Sequence, residues 1–208
     1  MLLKILFCLI VGYVFGCFST GYLIGKINKI DIRNFGSGNA GTTNAMRTLG
    51  VKAGILTFIG DALKAIIPLL IIRFFIFSDS DFILLFILYT GLGVVLGHNF
   101  PFWLKFKGGK GIAVTGGVML AFDWRLGLIA FVLFMTLTLI TKYVSVGSMV
   151  MSLLFPIWII IMYPDNIHML LLSFGYTILA LVKHRTNMIR LMNGTENKIG
   201  QKVKINKG

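Results

Sequence analysis

The amino-acid sequence predicts an all-α integral membrane protein with seven transmembrane helices. The chain has 208 residues, 57% of them in the hydrophobic set AVILMFWYC, and its mean hydropathy is +0.89. A soluble domain contains roughly 45 to 50% apolar residues, so a soluble globular fold is excluded. Because a membrane helix needs about 20 mostly apolar residues, the length allows six or seven spans and no second soluble domain. We therefore expect residues 1–208 to form a single polytopic membrane domain.

Polar segments divide the chain into seven apolar runs, which we predict to be the spans. The segments are residues 26–52, 78–81, 105–111, 123–125, 142–145, 164–166 and 183–208. The first, third, fifth and seventh segments carry 5, 3, 1 and 7 Lys or Arg residues, whereas the opposite side carries only Lys4, Arg73 and Arg125. Because cytoplasmic loops are enriched in Lys and Arg, this asymmetry predicts an amino terminus outside and a carboxyl terminus in the cytoplasm.

The fourth apolar run, residues 112–122, is too short to span a bilayer by itself. As an α-helix it would rise about 17 Å, whereas the hydrocarbon core is about 30 Å thick. Irregular backbone at that depth is tolerated only where it is buried in protein or lines a wet cavity. One prediction is therefore that KFKGGKG and the glycines after it dip into the membrane from the cytoplasmic side. The alternative is a fourth helix extended by residues on both sides.

The first polar segment contains a glycine-rich motif, GSGNAGTTNAMR. Gly36 and Gly38 flank Ser37, and Asn39 follows them. Glycines let backbone N–H groups approach an anion closely, and a helix that starts near Thr43 would point its positive end toward the same place. Topology requires only Lys and Arg, so this composition favours an anion or polyol site over a plain connecting loop.

The second motif, GHNFPFWLKFKGGKG, brings Lys107 and Lys110 next to Gly108, Gly109 and Gly111. It lacks the G-x-x-x-x-G-K-[ST] spacing, so a Walker-type nucleotide site is not supported. Close backbone donors and a flexible cation suit phosphate oxygens. The alternative is a basic loop whose lysines reach the lipid headgroups.

The third motif joins TKYVSVGS to the start of the tail, KHRTNMIRLMNGTENKIG. It supplies Ser145 and Ser148 from the first string and His184, Asn187 and Glu196 from the second. On a helix His184 and Asn187 share a face, so an imidazole and an amide can point at one ligand. The alternative is a basic juxtamembrane helix that lies on anionic lipid.

Asp61 and Lys64 lie three residues apart within the second predicted span. An unpaired charge there costs roughly 2.5 to 3.5 kcal/mol, so we expect the two side chains to pair on one helix face. An internal ion pair that braces the first loop is the preferred interpretation over a functional site.

The motifs GSGNAGTTNAMR, GHNFPFWLKFKGGKG and HRTNMIRLMNGTENKIG occur in the order, spacing and cytoplasmic positions of one enzyme family. Over nearly its whole length the chain resembles the bacterial acyl-phosphate-dependent glycerol-3-phosphate acyltransferases, the PlsY family. The resemblance implies transfer of a fatty acyl group from acyl phosphate to the 1-hydroxyl of sn-glycerol 3-phosphate, giving lysophosphatidate and inorganic phosphate, the first step of phospholipid biosynthesis. It also implies a seven-helix fold in the bacterial cell membrane, with the active site facing the cytoplasm.

The motifs and this resemblance together predict the site residues. Ser37, His184 and Asn187 are expected to be catalytic. Residues expected to bind substrate are Arg47, Gly36, Gly38, Asn39, Lys107, Gly108, Gly109, Lys110, Gly111, Ser145, Ser148 and Glu196. Acyl phosphate is a mixed anhydride with a good leaving group, so no metal, cofactor or covalent intermediate is required. The expected partners are the two substrates and the lipid bilayer, with no nucleic acid and no obligatory protein partner.

The sequence offers two candidates for the general base, His184 and a substrate phosphate oxygen. Ser37 is better interpreted as a hydroxyl that orients the acceptor than as a nucleophile, because no histidine is adjacent to it in sequence. His184 can relay a proton, and a substrate phosphate oxygen can accept it equally well.

Two other functions compete with this interpretation. A CoA-dependent acyltransferase with an H-x-x-x-x-D signature is not supported, because no histidine is followed five residues later by Asp. A small transporter for a phosphorylated or anionic solute is the alternative. Transporters of that kind usually contain repeats and a site near the midplane, whereas these polar motifs gather on one face.

Overall fold

The computed structural model describes residues 1–201. All regular secondary structure in that part of the chain is helical. The helices are α1 (Leu2–Gly16), α2 (Thr20–Ile27), α3 (Thr42–Leu49), α4 (Val51–Ile71), α5 (Ile83–Asn99), α6 (Ile112–Phe122), α7 (Trp124–Thr141), α8 (Val144–Met162), α9 (Ile167–Lys183) and α10 (Arg185–Met192). Three of the seven basic residues in the last polar segment, Lys202, Lys204 and Lys207, lie outside the described residues.

Five helical stretches of the described chain are long and apolar enough to cross a membrane. They are Leu2–Ile27, Val51–Ile76, Ile83–Leu104, Trp124–Thr141 and Val144–Met162. The α9–α10 pair, bent by 55°, supplies a sixth if it is one span. The all-helical membrane architecture is therefore confirmed. The number of seven spans is not confirmed, because α6 has only 11 residues and α9 has 17.

The short helix α6 follows a non-helical loop, as one of the two sequence predictions requires. It begins at Ile112 and ends at Phe122, so the alternative of a fourth helix extended on both sides is wrong. Its face toward α4 is close-packed, since a Cβ at Gly117 would lie 2.8 Å from the Ala62 carbonyl oxygen. Asp123 then ends α6 and begins α7 through a side-chain bond from the Arg125 N–H.

Helices α1 and α5 approach each other through glycines. A Cβ at Gly12 would lie 2.9 Å from the carbonyl carbon of Thr90, and a Cβ at Gly97 would lie 2.9 Å from the amide nitrogen of Cys17. Small residues at such crossings let membrane helices pack backbone to backbone. This contact fixes the carboxyl end of α5, which leads into the second motif.

A buried ion pair links α4 to α5 and to the break between α1 and α2. The Nζ atom of Lys64 lies 2.9 Å from Asp61 Oδ1, donates to the Phe18 carbonyl at 2.7 Å and lies 2.8 Å from His98 Nδ1. Asp61, Lys64 and His98 are each at most 5% exposed. The predicted pairing of Asp61 with Lys64 is confirmed. The pair contacts His98 in α5 and the backbone of Phe18, and not the first loop as the sequence predicted.

Candidate active site

The first motif folds around the buried side chain of Asn44. Its Oδ1 accepts from the Ser37 N–H at 2.9 Å, and its Nδ2 donates to the carbonyls of Ile32 and Asn39, both at 2.8 Å. Sequence reasoning did not assign Asn44 a role, although its position within the conspicuous motif was a usable signal. Three bonds from one buried amide hold the loop in a single conformation.

This loop presents the Ser37 hydroxyl with its proton available. Asn39 Nδ2 donates to Ser37 Oγ at 2.8 Å, and Asn39 Oδ1 accepts from the Gly41 N–H at the start of α3. A hydroxyl has one donor and two acceptor positions. Because Asn39 uses an acceptor position of Ser37, the O–H can donate to a ligand in the cavity.

Arg47 connects α3 to the tail of the chain. Its Nη2 donates to the carbonyl of Asn197 at 3.2 Å. Burial lowers the pKa of the guanidinium, and nearby Glu196 raises it in opposition. An arginine stays charged in proteins, so this half-buried cation makes the site attractive to anions.

The second motif holds its loop tightly against the end of α5. The N–H groups of Gly108 and Gly109 donate to the carbonyls of Asn99 and His98, at 3.2 and 3.1 Å. A Cβ at Gly109 would overlap the His98 ring, which explains the glycine. These two amides are therefore engaged within the protein, contrary to the expectation that they face phosphate.

The cation that this loop delivers to the site is Lys110. Its Nζ donates to Asn187 Oδ1 at 2.5 Å. Burial lowers the pKa of the ammonium to about 8, with an opposing contribution from Glu196. Lys107, by contrast, is exposed and does not line the cavity, and its carbonyl accepts from Arg33.

Asn187 and Glu196 belong to a hydrogen-bond chain that crosses the site. Asn187 Nδ2 donates to Glu196 Oε1 at 2.7 Å, and Ser145 Oγ donates to the same oxygen at 3.0 Å. A lysine only donates and a carboxylate only accepts, so Lys110 and Glu196 fix which way the Asn187 amide points. Ser148 donates instead to the Val144 carbonyl within its own helix.

His184 lies between α9 and α10, and a backbone contact defines the tautomer of its imidazole ring. Its Nδ1 is 2.8 Å from the Ala180 carbonyl oxygen, which can only accept, so we assign the proton to Nδ1 and the free lone pair to Nε2. Burial and then the charge of Lys110 lower the pKa of the imidazole to about 4. His184 is therefore neutral at pH 7.

One cavity of about 380 Å³ joins most of these groups. The predicted residues that line it are Ser37, Asn39, Arg47, Lys110, Gly111, Ser145, Ser148, His184, Asn187 and Glu196. The predicted residues that do not line it are Gly36, Gly38, Lys107, Gly108 and Gly109. Below the polar end the wall becomes apolar, with Phe58, Ala62, Ile66, Leu120, Leu128, Phe131 and Phe134. The residues of this apolar part could not be identified from the sequence, because they come from three separate helices, α4, α6 and α7.

The helices and the cavity together define a class of protein. It is an integral membrane protein whose described residues form a cavity with a basic, polar end and an apolar wall. Within residues 1–201, no three His, Cys, Asp or Glu side chains are grouped as a set of metal ligands.

The chain belongs to the glycerol-3-phosphate acyltransferase family, whose model matches residues 6–194. It is 42% identical over 197 residues to a glycerol-3-phosphate acyltransferase of Thermoanaerobacter pseudethanolicus, covering 94% of this chain and 96% of the relative. It is 43% identical over 194 residues to the Clostridioides difficile enzyme of the same name, covering 93% and 94%.

Solved structures agree with this assignment. The crystal structure of PlsY, an integral membrane glycerol 3-phosphate acyltransferase, in its glycerol 3-phosphate form has a TM-score of 0.84 and 36% identity, covering 94% of this chain and 96% of that chain. The lysophosphatidic acid form of PlsY has a TM-score of 0.81 at 36% identity, with 95% and 96% covered. The present protein is thus a multi-pass membrane acyltransferase.

Proposed function

We propose that the protein transfers a fatty acyl group from acyl phosphate to the 1-hydroxyl of glycerol 3-phosphate. The products are lysophosphatidate and inorganic phosphate. The observation that carries this proposal is a single cavity with Arg47 and Lys110 at its polar end and apolar helices below. The family membership and the names of the relatives support the acceptor and the product.

Two phosphate-bearing substrates must be held side by side against their mutual repulsion. Arg47 and Lys110 supply positive charge, and charge-assisted hydrogen bonds contribute about 1.5 to 3 kcal/mol each. Both cations bond to neutral oxygens of Asn197 and Asn187 in the free protein, so they can exchange these partners for phosphate oxygens. The Ser37 hydroxyl is placed to donate to the acceptor substrate.

The transfer requires one bond to form and one to break. The 1-hydroxyl oxygen attacks the acyl carbonyl carbon, the bond from that carbon to the bridging oxygen breaks, and phosphate leaves. We assign the released proton to a substrate phosphate oxygen, because a phosphate monoester with a second pKa of about 6 is a stronger base than an imidazole with a pKa of about 4. His184 then orients the reactants through Nε2.

The site is proposed to face the cytoplasm of a bacterial cell. The proposed topology has seven spans, an outer amino terminus, a cytoplasmic carboxyl terminus and α6 as a short fourth span. Ser37, Arg47, Lys110, Ser145 and Asn187 come from four polar segments that the charge asymmetry assigns to one side, and they meet in one cavity. A cytoplasmic opening suits a water-soluble acceptor. No protein partner is needed for this chemistry, because one chain supplies all the proposed groups.

Donor identity tests the proposal. The purified protein is incubated in mild detergent with glycerol 3-phosphate and either palmitoyl phosphate or palmitoyl-CoA, and lysophosphatidate and phosphate are followed. We expect product and phosphate from palmitoyl phosphate alone. Product from palmitoyl-CoA alone would show that the donor is an acyl-CoA and not acyl phosphate.

His184→Gln separates the two proton acceptors. If His184 only orients the reactants, we expect the variant to retain turnover within about tenfold of the wild type and to have a higher acceptor KM. A loss of kcat by several orders of magnitude, with an unchanged thermal transition, would identify His184 as the general base.

A further inference from the structure

The apolar part of the cavity has a floor formed by one face of α6. The residues of α6 that line the cavity are Ile112, Ala113, Gly116, Gly117 and Leu120. Their spacing puts them on one helix face. The floor is continuous with the polar end, where Lys110 and Gly111 line the same cavity immediately before α6 begins.

Gly116 and Gly117 are neighbours with different surroundings. A Cβ at Gly117 would lie 2.8 Å from the Ala62 carbonyl oxygen, so this glycine is needed where α6 packs on α4. A Cβ at Gly116 would meet no heavy atom within 4 Å. Helix packing therefore does not require a glycine at residue 116, and its missing side chain leaves space in the cavity.

The position of Gly116 along the cavity determines which ligands would contact a side chain at this residue. It lies five residues after Gly111, so it is about 7.5 Å along the helix axis from the polar end, and Leu120 lies about 6 Å beyond it. An extended apolar chain whose reactive carbonyl is at the polar end must pass Gly116 to reach Leu120. A short chain ends before it.

We propose that Gly116 is a specificity-determining residue that keeps the groove open for long acyl chains. The occupant of the groove is the hydrocarbon chain of the acyl donor, and this inference rests on the proposed function. Space at residue 116 lets a long chain pack against α6 between α4 and α7, whereas a larger side chain fills that path.

The test measures kcat/KM for butanoyl phosphate and palmitoyl phosphate in Gly116→Leu and Gly116→Ala. We expect the palmitoyl-to-butanoyl ratio to fall about tenfold or more in Gly116→Leu and by a smaller factor in Gly116→Ala. Gly175→Leu is the matched control, because a Cβ at Gly175 in α9 also meets no atom within 4 Å but this residue does not line the cavity. Its ratio should equal that of the wild type.

The smaller substitution, Gly116→Ala, still tests the inference if Gly116→Leu is poorly folded. Alanine is a better helix former than glycine by about 1 kcal/mol, so Gly116→Ala should fold at least as well as the wild type, which a thermal unfolding measurement checks. An unchanged ratio in active Gly116→Ala and Gly116→Leu, or an equal change in Gly175→Leu, would overturn the inference. Wild-type protein that forms no product from either acyl phosphate would instead overturn the proposed function.

Discussion

At the scale of single residues, Glu196 is an acid in a site that is otherwise suited to anions. Its carboxylate cannot bind a phosphate directly, but it accepts from Asn187 and Ser145 and partly offsets the charges of Arg47 and Lys110. The predicted substrate-binding role of Glu196 is therefore best explained as indirect. We propose that it orients the Asn187 amide and keeps two nearby cations compatible with a folded, ligand-free site.

The lowered pKa of Lys110 predicts a pH dependence for substrate binding. With a pKa of about 8, the ammonium is charged at pH 7 and loses its proton as the pH rises above 8. Loss of this cation weakens phosphate binding, so kcat/KM for glycerol 3-phosphate should fall between pH 8 and pH 9.5. A pH profile of initial rates measures this fall.

Lys110→Arg is the control for that profile. Arginine stays charged over this whole range, so the alkaline fall should move to higher pH even if the absolute rate is lower. An alkaline limb at the same pH in wild type and variant would show that another group is responsible.

At the scale of elements, the Asp61–Lys64–His98 cluster ties α4 to the end of α5 that leads into the second motif. Breaking a buried pair by removing one partner typically costs about 3 to 5 kcal/mol, because the other charge is left uncompensated. We therefore expect Lys64→Met to lower stability more than the double variant Asp61→Asn/Lys64→Met. Thermal unfolding in detergent compares the two proteins with wild type, and additive losses would contradict the pairing.

Local patterns were sufficient to predict several elements. The helix expected near Thr43 begins at Thr42, and the short run at 112–122 is the helix Ile112–Phe122. Hydropathy and glycine-rich motifs encode these features within a few neighbouring residues. His184 and Asn187 were expected to face one ligand, and both line the cavity.

Contacts between distant segments could not be predicted in this way. No local pattern indicates that the N–H groups of Gly108 and Gly109 donate to carbonyls of α5, or that Lys107 does not line the cavity. The role of His98 depends on Lys64, which is 34 residues away in sequence. Such contacts depend on the packing of whole helices, which periodicity does not encode.

At the scale of the whole molecule, the charge asymmetry predicts which face of the bundle meets the cytoplasm. Single cysteines at Lys29 and Asp79, both exposed and assigned to opposite sides, test this directly. In a background without the buried Cys8 and Cys17, a membrane-impermeant maleimide should label Asp79→Cys from outside intact cells. Lys29→Cys should react only after permeabilisation, and the reverse pattern would invert the proposed orientation.

We propose that one cavity holds both substrates and that the acyl group passes directly between them. The most direct test is isotope exchange in the absence of glycerol 3-phosphate, with palmitoyl phosphate and radiolabelled inorganic phosphate. Direct transfer predicts that no label enters palmitoyl phosphate while the acceptor is absent. It also predicts that lysophosphatidate forms rapidly once the acceptor is added. Label entering palmitoyl phosphate without the acceptor would reveal a covalent acyl-enzyme and contradict the account.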